Sequence, residues 1–113
     1  MSTHAIDALT ALVEQGGEAD DVLRSAVALL VADPEISWAS IRFLEEGQLV
    51  AGPSAGAPDE SRRVAAPIAY QGDQVGELVL DGDPDPTLLP RAAELLSAYV
   101  LLGWDTGGEA WEP

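Results

Sequence analysis

Trp38, Ser40 and Arg42 stand two residues apart from one another, and side chains of an extended strand alternate sides, so an indole, a hydroxyl and a guanidinium share one face of any strand that holds them. Such a set can bind a small polar molecule through an aromatic wall, a short donor and a planar cation. It does not catalyse by itself, because no base stands beside the hydroxyl to activate it. The chain has no cysteine, which removes disulfides, thiolate metal sites and thiol nucleophiles together. Its single histidine, His4, lies in the N-terminal arm without converging partners and reads as a solvated side chain. No glycine-rich phosphate loop is visible. The expectation is therefore no catalytic residue, no metal and no cofactor.

Arg62 and Arg63 are the only adjacent cations, in a chain whose basic residues are five arginines against twenty acidic residues, for a net charge of −15. The two can close over an anion or form local pairs with Asp59 and Glu60, and the second is the ordinary fate of exposed neighbours. So little positive charge excludes nucleic acid as a partner, because phosphate binding requires a clustered cationic surface. The acidity reads as solubility through self-repulsion, with a basic partner protein as the alternative. The longest apolar run, Ala26 to Ala32, is far short of the roughly 20 residues a membrane span needs. Nor does a basic N-terminus lead into an apolar stretch. A soluble, cytoplasmic protein is expected.

The elements that position these residues follow from hydrophobic spacing. Ala5, Ile6, Leu9, Leu12 and Val13 recur every three or four residues, one stripe of a helix stopped by Gly16-Gly17. A second helix is expected from an Asp20 N-cap through Val22, Leu23, Ala26, Val27 and Leu30 to Asp33-Pro34. Its wide apolar face suggests two contacts, the sheet on one side and another helix or a second subunit on the other. From Ser37 the period becomes two, with Ala39, Ile41 and Phe43 facing the core. A turn at Glu45 to Gln48 leads into a short return strand, Gln48 to Ala51, and a loop from Gly52 to Arg62. Strands over Val64 to Tyr70 and Val75 to Leu80 make a second hairpin. Asp81 to Pro86 reads as a loop, and Leu88 to Gly103 as a long amphipathic helix. A chain of 113 residues supports one compact domain, residues 1–103, with a tail over 104–113. That tail carries Trp104 and Trp111, and at least one indole is expected to fold back against the domain, a recruiting tail being the alternative. Helix, helix, hairpin, loop, hairpin, helix describes an α+β domain with helices on one face of an antiparallel sheet.

The hairpin from Val64 to Leu80, with Val64-Ala65-Ala66-Pro67-Ile68 leading through Gly72 to Val75-Gly76-Glu77-Leu78-Val79-Leu80, resembles the penultimate hairpin of GAF domains. The helix ending in Ala32-Asp33, the strand Ser37 to Leu44 and the closing helix after Asp85 stand in that family's order, so the resemblance covers about nine-tenths of the chain. It implies a GAF-like, PAS-related antiparallel sheet with the N- and C-terminal helices packed on one face. Within the family, Ile36 to Leu44 followed by Gln48 to Pro53 and Gly56-Ala57-Pro58 is similar to the free methionine-(R)-sulfoxide reductases. Their chemistry uses a sulfur nucleophile on the central segment. This chain has none, and only about ten residues separate Gly52 from the third strand.

The resemblance further implies that a ligand would lie on the sheet face opposite the helices, where Trp38, Ser40 and Arg42 point. If the fourth strand pairs with the first, Glu77 joins them beside Arg42. With Arg63 these residues are the candidate ligand contacts, for a zwitterion or another small polar metabolite; a simple Arg42–Glu77 ion pair on a covered surface is the competing expectation. The family resemblance also implies a homodimer through the first and last helices. The functional expectation is a non-catalytic sensor or binding module, with a ligand-free dimerisation or interaction module as the alternative.

Overall fold

The computed structural model describes residues 3–104. The burial of the Trp104 and Trp111 indoles expected above concerns side chains outside the described residues, as does the role of His4. In chain order the elements are α1 (Thr3–Gln15), α2 (Ala19–Val31), β1 (Ile36–Glu45), β2 (Gln48–Gly56), a 3-10 turn (Glu60–Arg62), β3 (Arg63–Tyr70), β4 (Asp73–Gly82) and α3 (Leu88–Trp104). The four strands form one sheet in the order β2-β1-β4-β3, antiparallel throughout. Both hairpins close with two left-handed residues, Glu46-Gly47 and Gln71-Gly72, the tight turn whose twist matches that of its flanking strands.

Alternation decides which way each strand faces. Ala39, Ile41 and Phe43 of β1, Leu78 and Leu80 of β4 and Ile68 of β3 form the core with Leu23, Val27 and Leu30 of α2 and Leu88, Leu96 and Val100 of α3. α2 packs on β1 and β2 on one side and on α1 and α3 on the other. The breadth of its apolar stripe is thus accounted for within one chain. α1 lies across α2 and α3, burying Ala5 and Leu9, and the Tyr99 hydroxyl of α3 donates to the Val13 carbonyl at 3.2 Å. No helix among the described residues is long and apolar enough to cross a membrane.

The structure revises three boundaries. α2 starts at Ala19 after an N-cap at Glu18, which makes no side-chain capping bond. Asp20 stands in the first turn instead, where a negative charge still meets the positive end of the helix dipole. β2 does not stop at Ala51 but continues to Gly56 through Pro53. Proline offers no N–H to a ladder, and here it sits on an edge strand in a bulge, where Gly52 and Pro53 together oppose Ile41. Gly52 is required there by close approach, since a Cβ at that position would lie 2.5 Å from the Ile41 carbonyl oxygen and 2.5 Å from the Phe43 ring. Finally β4 runs on through Asp81 to Gly82, so Asp81 is a strand residue and not part of a loop.

Candidate functional site

The strand register sets the sheet face opposite the helices as three rows. Arg63, Asp81 and Trp38 lie side by side across β3, β4 and β1, followed by Ala65, Val79 and Ser40, then Pro67, Glu77 and Arg42. β2 completes the rows with Gly56, Ser54 and Ala51. All five candidate residues therefore lie on this face, and β4 does pair with β1, placing Glu77 directly opposite Arg42.

The first row is closed internally. Asp81 is wholly buried, and its carboxylate accepts from Arg63 Nε at 2.8 Å and Arg63 Nη2 at 2.9 Å. A third bond comes from the Asp59 backbone N–H at 2.6 Å. A buried carboxylate is costly unless fully paired, and this one meets a fork-shaped donor that fits it edge to edge. The Arg63 hydrogen bonds hold the Asp81 carboxyl below the usual carboxylate range against the opposing effect of burial, and the Asp59 N–H adds to the shift. Asp81 in turn raises the pKa of Arg63. The guanidinium lies 4.7 Å from the centre of the Trp38 ring, a cation–π contact, and its Nη1 is 3.4 Å from Glu60.

These contacts tie the segment between β2 and β3 onto the sheet. Ala57 N–H donates to the Ser37 carbonyl at 2.8 Å and Arg62 N–H to the Asp59 carbonyl at 3.0 Å. Ser61 Oγ donates to Asp59 Oδ1 at 2.6 Å. In the second row Ser40 and Val79 are buried at 4% and 1% exposure. The third row stays partly open. Arg42 Nη1 and Glu77 Oε1 are 3.6 Å apart with side chains 34% and 24% exposed, too far for a hydrogen bond.

The structure thus joins Trp38 to Arg63 and Arg42 to Glu77 as separate pairs, and it buries Ser40. The local pairing of Arg63 with Glu60 exists but is secondary to Asp81, while Arg62 is exposed. Sequence reasoning missed Asp81 and the Asp59 N–H, although the alternation Glu77, Val79, Asp81 was readable. On the helical layer the carboxylates of Glu18, Asp20 and Asp21 gather within 4.8 Å of one another at the start of α2, where the helix dipole favours negative charge.

No family model matches the chain, and no curated protein sequence matches it. Solved structures do. The GAF domain of an Acinetobacter phosphoenolpyruvate-protein phosphotransferase is similar with a TM-score of 0.72 at 13% identity, over 97% of this chain and 98% of that one. A type II free methionine-R-sulfoxide reductase from Thermoplasma acidophilum is similar with a TM-score of 0.62 at 19% identity, over 79% of this chain and 94% of that one. The fRMsr of Staphylococcus aureus in complex with substrate gives a TM-score of 0.59 at 19% identity, over 88% and 91% of the two chains. The class defined by sheet order and helical layer is an α+β domain with one antiparallel sheet. Within that class the chain has the GAF fold, and it carries no cysteine.

Proposed function

We propose that this chain is a non-catalytic GAF-type module that acts by contact with another protein, its outer sheet face closed by its own loop. The observation that supports this reading is the Asp81 carboxylate, fully buried and bound by Arg63 and Asp59 N–H. Those donors would otherwise be the ones best suited to an anionic ligand. Catalysis of the reductase kind would require a sulfur nucleophile that the chain lacks. Self-association through the helical layer belongs to the same reading, and sedimentation at tens of micromolar tests it.

A second reading, recognition of a small zwitterion, is favoured by the open Arg42–Glu77 pair. One experiment separates the two. Thermal unfolding is followed with a panel of free amino acids that includes methionine-(R)-sulfoxide. A ligand at about a hundred times its Kd adds about 2.7 kcal/mol to stability, on the order of 10 °C for a domain of this size. The interaction reading expects no such shift. A saturable shift accompanied by amide perturbations at Trp38, Arg42 and Glu77 would establish the sensor instead.

A further inference from the structure

A second concavity lies on the helical side, away from the closed face. It encloses about 230 Å³ between the first turns of α1 and the last turn of α2. Ala5 and Ala8 form one wall and Leu29 and Ala32 the other, and the turn bearing Asp33 and Glu35 forms the rim. Small side chains on both helices leave this space, because no large residue fills the gap where α1 crosses the end of α2. The rim is ordered by hydrogen bonds: Asp33 N–H donates to Leu30 O at 3.1 Å and Ile36 N–H to Asp33 O at 3.0 Å. Glu35 N–H donates to Asp33 Oδ1 at 2.9 Å. Among the described residues the Glu35 carboxylate has no hydrogen-bond or ion-pair partner, and no basic side chain lines the concavity.

We infer that this concavity is the docking site for an arginine or lysine side chain presented by a basic segment of a partner protein. The inference rests on the protein-contact reading above and names the partner's chemistry. An apolar pocket under a carboxylate rim fits an amphipathic cation, whose methylene stem lies on Ala5, Ala8, Leu29 and Ala32 while its charge meets Glu35 and the free edge of Asp33. Charge complementarity selects this occupant over a second copy of the chain. A copy of this chain has five arginines against twenty acidic residues, and so has few cations to offer this concavity.

The test uses the full chain, isotope-labelled, titrated with the capped peptide acetyl-Gly-Arg-Ala-Arg-Gly-amide and with versions carrying leucine or glutamate in place of arginine. The expected result is amide shifts confined to Ala5, Ala8, Leu29 and the Asp33 to Glu35 turn, seen with the arginine peptide only. Glu35→Gln should weaken binding about threefold, the scale of one solvent-reachable ion pair. Ala8→Leu, which fills the concavity from a half-buried helix position, should abolish the localised shifts while the amide spectrum away from the concavity stays that of the folded parent. Glu45→Gln, at the far end of β1, should change nothing. No shift at all, shifts scattered over every acidic surface, equal loss from Glu45→Gln, or equal binding by the leucine peptide would each overturn the inference. The metabolite panel reports on the opposite face of the sheet, so failure of the protein-contact reading there is distinguishable from failure of this site.

Discussion

Arg63 meets Asp81 edge-on, with Nε 2.8 Å from Oδ1 and Nη2 2.9 Å from Oδ2. The carboxylate is wholly buried while the guanidinium keeps 26% of its side-chain surface exposed. Removing either partner therefore has unequal consequences. Arg63→Met leaves a buried charge without its cation, whereas Asp81→Ala frees a cation that can turn outward to water. Arg63→Met is expected to lower the urea midpoint more than Asp81→Ala does, and the double variant Arg63→Met with Asp81→Leu should recover part of the loss. A double variant no more stable than Arg63→Met alone would show that the pair is not what holds this row together.

Acid should act through the same group. The folded pKa of Asp81 is depressed, so its contribution is fully present above the unfolded value of about 4 and is lost as pH falls through the lower folded value. Stability measured by urea titration from neutral pH downward should fall steeply below about pH 4. In Asp81→Asn that part of the slope should disappear while the remaining acid dependence persists. Identical pH profiles for the two proteins would contradict the assignment.

How much of this was legible in the sequence divides along physical lines. Period-two alternation places Trp38, Ser40 and Arg42 on one face, and the pairing of β4 with β1 brings Glu77 opposite Arg42. The face of the candidate site follows from the alternation, whereas the pairing and the fold were expected from the order of the elements and the resemblance to GAF domains. Asp81 was not legible because it opens the run Asp81-Gly82-Asp83-Pro84-Asp85-Pro86, whose composition signals a loop more strongly than one more step of alternation signals a strand. Pro53 hid the second half of β2 for a similar reason, since local chemistry argues for a break where an edge bulge provides a place for it. Closure of the face depends on contacts between Arg63 and Asp81, 18 residues apart in sequence, which no local pattern encodes.

Gly52 tests the bulge. A methyl group there meets the Ile41 carbonyl and the Phe43 ring at 2.5 Å each, and one of these is backbone in the central part of the sheet. Gly52→Ala should cost about 1–3 kcal/mol, the range for overpacking a filled core. A lowered urea midpoint with an unchanged slope is the expected reading. An unaffected midpoint would mean that β2 moves off β1 at no cost.

Loop closure itself can be read by proteolysis. Arg62 is exposed at the end of the 3-10 turn, in a segment held to the sheet through Asp59 and Arg63. A protease needs an extended stretch of chain, so cleavage after Arg62 reports local release of that segment when opening is fast relative to cutting. Trypsin should cut the parent protein slowly at this site, and Asp81→Ala should accelerate that cut well beyond the change in global stability. The control is Glu77→Gln, which breaks the partly exposed Arg42–Glu77 pair in the open row. It should shift stability by less than about 1 kcal/mol and leave the cleavage rate after Arg62 as it was. If both variants accelerate cleavage equally, the loop answers to the face as a whole and not to the carboxylate beneath it.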